Sequence, residues 1–148
     1  MRLKKYTDYA LRVLIYVGSK PEGELSSIKE ISDVFNVSEN HLGKVVNQLN
    51  KHNLVETIRG RAGGIRMAKN PAFINVGSVV RKMEDDFTIL ECFDADTNAC
   101  VITVSCKLKH VLGDALQAFL GVLDQYTLED LLENRLELQA LMDTTAQE

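Results

Sequence analysis

Apolar residues at residues 6–18 recur with helical spacing, through Tyr6, Ala10, Val13, Leu14 and Val17, and predict a first helix. Thr7 is placed to cap its start, and Asp8 in the first turn suits the positive end of the helix dipole. Lys20, Pro21, Glu22 and Gly23 make a turn. Ser27 and Glu30 then have capping-box spacing ahead of a short helix whose apolar face is Ile28, Ile31, Val34 and Phe35. Asn36-Val37 interrupts the pattern and Ser38 caps a third helix. In it Leu42, Val45, Val46 and Leu49 form the buried stripe. At about 100° per residue the opposite stripe is Asn40, Lys44, Asn47 and Lys51.

Two short helices joined by a tight turn, the second with an amide-and-lysine face, predict a helix-turn-helix. Asparagine bonds adenine in a bidentate way, and lysine contacts guanine or phosphate. An ordinary helical hairpin with a solvated face would read much the same. The next stretch favours DNA. Leu54–Ile58 is β-rich, Arg59, Gly60, Arg61, Ala62, Gly63 and Gly64 form a turn, and Ile65-Arg66-Met67 is a second strand. A hairpin with an arginine-bearing glycine tip behind a recognition helix makes a winged helix. Arg59 and Arg61 suit a narrow, electronegative minor groove. A nucleotide-phosphate loop is excluded, since no GK[ST] follows and the loop runs into a strand. The DNA-facing set expected is Ser38, Asn40, His41, Lys44, Asn47, Lys51, Arg59, Arg61 and Arg66. His41 and His52 are read as surface residues without catalytic roles.

Asn75 opens a further helix with Val76, Val79, Val80 and Met83 on one face, ending at the acidic Glu84-Asp85-Asp86. Beyond the following irregular segment, Leu108, Leu112, Ala115, Leu116, Phe119, Leu120 and Leu123 mark another helix, widened by Val111 and Val122. So broad an apolar face exceeds what one small winged helix covers, and a helix of a second subunit is expected against it. Thr127-Leu128-Glu129-Asp130 caps a last short helix, and residues 142–148 read as frayed. The expected fold is mainly α with a β-hairpin wing: a winged helix-turn-helix over residues 1–84, a cysteine-bearing loop over 85–106, and a dimerisation helix with a C-terminal helix over 107–148.

Charge sharpens this division. The net charge of −4 conceals a basic front half: residues 1–70 carry 12 Lys/Arg against 7 Asp/Glu, and residues 71–148 carry 5 against 14. A nucleic-acid-facing module joined to a part that binds something else fits that split. No apolar run is long enough to cross a bilayer, so a cytoplasmic, reducing compartment without membrane contact is expected.

All three cysteines fall within ECFDADTNACVITVSC, residues 91–106: Cys92, Cys100 and Cys106. Three thiols in one irregular segment can converge on zinc or an iron–sulfur cluster. A redox-active thiol site and inert thiols stay open at this point, because neither gap is a CxxC. No Ser/His/Asp set, CxxC or cofactor loop supports an enzyme, such as a thiol- or cluster-based oxidoreductase.

The chain resembles the winged-helix repressors that include NsrR and IscR. The likeness rests on YTDYALRVLIY (residues 6–16), VSENHLGKVVNQL (37–49), VETIRGRAGGIRM (55–67), INVGSVVRKME (74–84) and the three cysteines followed by KLKHVL (107–112). YTLEDLL (126–132) and the recognition-helix core are closer to the NsrR branch. The resemblance implies a homodimer on a palindromic double-stranded operator, with Cys92, Cys100 and Cys106 holding an iron–sulfur cluster, 4Fe–4S rather than 2Fe–2S. It further implies Asp8 of the other subunit as fourth ligand, with Arg12 beside it. Nitric oxide would attack the cluster and release the repressor from promoters of NO-detoxification genes. The seven residues between Cys92 and Cys100 exceed the gap of many family members. Zinc held with His110 in a Cys₃His set is the rival site, and control by iron status or cluster supply the rival signal.

Overall fold

A computed structural model describes residues 1–145. Helix α1 (Lys5–Ser19) starts before Thr7, with Lys4 as an extended N-cap residue that makes no side-chain cap. Thr7 is buried inside the helix instead, and its hydroxyl donates to Glu84 Oε2 at 2.6 Å. The amide of Lys4 donates to the same oxygen at 3.2 Å. A carboxylate from far along the chain therefore supplies the acceptor that the helix start lacks locally.

Helices α2 (Ile28–Phe35) and α3 (Glu39–Lys51) form as their caps predict. Ser27 and Glu30 complete the capping box, each accepting from the other's amide at 3.1 Å. Asn36 turns the chain in the left-handed region, where asparagine is tolerated, and Ser38 caps α3 through the His41 amide. Strands β1 (Val55–Ile58) and β2 (Gly64–Met67) pair antiparallel from Val55↔Met67 to Ile58↔Gly64. Gly63 must lack a side chain, because a Cβ there would collide with backbone oxygens of Ile58 and Gly60. Ser26 bridges to Ile65 and pins the wing beside α2.

Helix α4 (Val76–Met83) is capped by Asn75 and buries Val76, Val79, Val80 and Met83. Residues 84–106 contain only two 3₁₀ turns, Glu91–Phe93 and Thr103–Ser105. Helix α5 (Lys107–Leu123) follows, then a 3₁₀ turn, Asp130–Leu132, and helix α6 (Arg135–Thr145).

One core joins α1, α3, the wing and the C-terminal segment: Val13, Leu14, Leu42, Leu49, Ile65, Val79, Leu128, Leu132 and Met142 all belong to it. Fraying from Met142 onward is thus corrected. That residue is 8% exposed and packs inside α6, while residues 146–148 lie outside the described ones. Thr127 does cap a turn, since its hydroxyl and Asp130 bond reciprocally, but the turn is 3₁₀ and a separate helix follows. Helix α5 buries only Leu120 against its own chain, leaving Leu108, Val111 and Val122 more than half exposed. Among the described residues no helix is long and apolar enough to cross a membrane.

Candidate nucleic-acid interface and cysteine loop

The buried stripe of α3 fixes its outer face. With Leu42, Val45, Val46 and Leu49 in the core, Asn40, Lys44, Asn47 and Lys51 are all exposed, as are Ser38 and His41 at the helix start. Tyr6 braces this helix by donating its hydroxyl to the Lys44 carbonyl at 2.8 Å, and partial burial raises the Tyr6 pKa. Arg59 and Arg61 stand exposed on the wing tip. Among the described residues neither arginine has a carboxylate partner, nor do Lys44 and Lys51. Four cations without internal partners keep their charge for an external anion. Arg66 differs: it faces Glu56 across the hairpin and pairs with it at 3.0 Å.

The cysteine loop is held by its own side chains. Asp94 accepts from the Asp96 amide at 3.0 Å and the Thr97 hydroxyl at 2.8 Å, and these bonds, the amide's first, lower its pKa. Asn98 accepts from the Cys100 amide at 3.1 Å, and Thr103 donates to the Cys100 carbonyl at 2.8 Å. Cys92 is buried, Cys100 and Cys106 are half-buried, and all three are free thiols. Cys106 is the N-cap residue of α5. Three soft donors on one segment, with no disulfide among them, fit the donor set that zinc or an iron–sulfur cluster requires. Their convergence is another matter. Among the described residues no three His, Cys, Asp or Glu side chains come together in a metal-holding group. His110 lies exposed on α5, so the Cys₃His set is not gathered either.

Asp8 is engaged within its own helix. Arg12 Nε donates to Oδ1 at 2.9 Å and Nη2 to Oδ2 at 2.7 Å, a two-pronged pair one turn apart. That hydrogen bond is the main cause of a raised Arg12 pKa. The Arg12 guanidinium also lies 5.9 Å from the Tyr9 ring centre and 5.8 Å from that of Phe35, within cation–π range. Nothing in the local pattern points to Glu84 as an acceptor for α1, because its partners are 80 and 77 residues away.

Residues 3–134 match the Rrf2 family, described as an iron-dependent transcriptional regulator. This chain belongs to the Rrf2 family. The HTH-type transcriptional regulator NsrR of Oceanobacillus iheyensis is 58% identical over 142 residues, covering 96% of this chain and 97% of that protein. NsrR of Bacillus subtilis is 55% identical over the same shares. Among solved structures, CymR, the global cysteine regulator of B. subtilis, superposes with a TM-score of 0.68 at 28% identity, over 88% of this chain and 95% of its own. IscR of T. potens does so with 0.66 at 26%, over 94% and 91%. The Rrf2 assignment agrees with the winged-helix architecture. The protein is a DNA-binding transcriptional repressor and not an enzyme.

Proposed function

We propose that operator affinity in this repressor is set by an iron–sulfur cluster, 4Fe–4S rather than 2Fe–2S, held by Cys92, Cys100 and Cys106. Nitric oxide is the signal we assign to it, and the cytoplasm, where thiols stay reduced, its compartment. The observation that carries the reading is the gathering of every thiol, all unpaired, on the loop that leads into α5. The family's description and the NsrR relatives support it.

The working unit we infer is a homodimer. Its support is the exposed apolar stripe of α5, Leu108, Val111 and Val122, which a second copy of the same helix would cover. In that dimer Asp8 of one subunit, still paired to Arg12, supplies an oxygen ligand to the other subunit's loop. Arg12, stacked near Tyr9 and Phe35, holds the carboxylate in reach. When bound, the cluster supplies an iron whose oxygen donor exchanges more readily than thiolate, and so a place for a small ligand to react. The protein's own part is geometric. Two recognition helices must meet major grooves about 34–36 Å apart. Each base contact is worth about 1–3 kcal/mol, so a small change in that spacing forfeits the operator. Lys44 and Asn47 face the bases, and Arg59 and Arg61 the minor groove, with Ser38, Asn40, His41, Lys51 and Arg66 around them.

The test is substitution of each cysteine by alanine in anaerobically purified protein. None of the three belongs to the hydrophobic core cluster, so helix content should be unchanged. Visible absorbance and specific DNA binding should disappear together in every variant. Full colour in two of the three variants would break the shared site, and a colourless wild type with one zinc per chain would replace the cluster by zinc.

A further inference from the structure

Helix α5 starts at the last cysteine and has 17 residues, about 25 Å of rod, yet it is fastened to the rest of its own chain near the far end. Asp124, its C-cap residue, receives both prongs of Arg81 from α4, Nη1 to Oδ1 at 2.5 Å and Nη2 to Oδ2 at 2.8 Å. Asn75, the N-cap residue of α4, donates its side-chain amide to the Asp124 carbonyl at 2.7 Å. The backbone closes the joint: Val76 N–H donates to the Tyr126 carbonyl at 2.9 Å, and Leu128 N–H to that of Ile74 at 2.8 Å. Gly77 completes it by omission. A Cβ there would overlap the Asp124 carboxylate and lie 2.9 Å from Arg81 Nη1. A helix interior ordinarily favours alanine over glycine, so space for the ion pair is the reason the structure gives for Gly77.

The other side of α4 runs straight into the DNA-binding core. Its C-cap residue, Glu84, bonds Thr7 and the Lys4 amide at the start of α1. Tyr6 of α1 in turn bonds the Lys44 carbonyl on α3. We propose that Arg81, Asp124 and Gly77 form a clamp that sets the position of the helix following the cysteine loop relative to the recognition helix. Arg81 and Asp124 are thereby positioning residues for operator binding. The part of this concerned with metal rests on the reading above; the clamp itself does not, since every contact in it belongs to the single chain.

A string of contacts is not yet coupling, so the experiment measures coupling. The full-length chain is compared as wild type, Gly77→Ala, Asp124→Asn and the double variant. Two quantities are read: amide hydrogen exchange at Val76 and Leu128 in the metal-free protein, and operator affinity of whichever form, metal-loaded or metal-free, binds in the wild type. Helix content and iron per chain are matched throughout. Each single variant should speed exchange at both amides about threefold and weaken operator binding about threefold, the range an exposed ion pair supports. The double variant should go no further than the worse single one, because both changes undo one contact. Faster exchange at unchanged operator affinity would leave only a structural brace and overturn the proposal. So would unchanged exchange, or fully additive effects. A wild type whose operator affinity ignores metal would sink the cluster reading, while these same two measurements still decide the clamp. Asp124→Asn decides alone if Gly77→Ala does not fold.

Discussion

The Thr7 hydroxyl and the Glu84 carboxylate meet at 2.6 Å, both buried, and join the start of α1 to the end of α4. Thr7→Val keeps the shape of the side chain and removes the donor, leaving a buried carboxylate short of one bond. The expected cost is about 1–3 kcal/mol of stability, read as a lower urea midpoint at unchanged slope. A variant with the wild-type midpoint would show that the Lys4 amide alone satisfies Glu84.

The clamp makes a prediction about pH. Arg81 holds the Asp124 carboxyl below its ordinary value, first by its hydrogen bond and then by its charge. A depressed folded-state pKa contributes stability that is complete above the unfolded value and is lost as pH falls through the folded one. Asp124→Asn should therefore melt below wild type at neutral pH, and the gap should close in acid, below the ordinary carboxylate range. The pair is exposed, so the difference is small. A gap independent of pH would assign the loss to something other than the charge.

Much of the fold was legible because its signals are local. The Ser27 capping box, the Ser38 and Asn75 caps and the buried stripes of α3 and α4 each lie within one or two turns of chain. Thr7 misled for the same reason: a threonine ahead of an apolar repeat reads as a cap, while the real acceptor is 77 residues away. Arg81 and Asp124, 43 residues apart, leave no local signature, and Met142 looked frayed because its partners lie in distant elements. At the cysteine loop, residue type was legible and geometry was not. The loop's own bonds are local, and the spacing of the cysteines does not say where each sulfur points.

The wing predicts a salt-dependent loss. Arg59→Ala and Arg61→Ala should each weaken binding to specific and nonspecific DNA alike. Each should also lower the slope of log K against log salt by about 1. Arg66→Ala should do less, because its guanidinium already faces Glu56. Wild-type affinity and slope in both tip variants would remove the wing from the interface.

Asp8 separates two roles. As a helix-start residue paired to Arg12, it stabilises α1 by about 0.3–1 kcal/mol and has no influence on metal. As the partner subunit's ligand, its replacement changes the metal centre. Asp8→Ala should still take up iron and sulfide but alter the visible spectrum and the rate of reaction with nitric oxide. Asp8→Cys should give an all-thiolate centre that reacts more slowly. Identical spectra and rates in wild type and both variants would return Asp8 to the helix start.

The most direct test of the central claim is an anaerobic titration of the wild-type protein with nitric oxide, following visible absorbance and operator binding on the same sample. Cluster control predicts that both fall together, reaching their end points at the same ratio of nitric oxide to protein. Operator binding that survives complete loss of the chromophore, or a protein that binds its operator fully without ever holding iron, would contradict it.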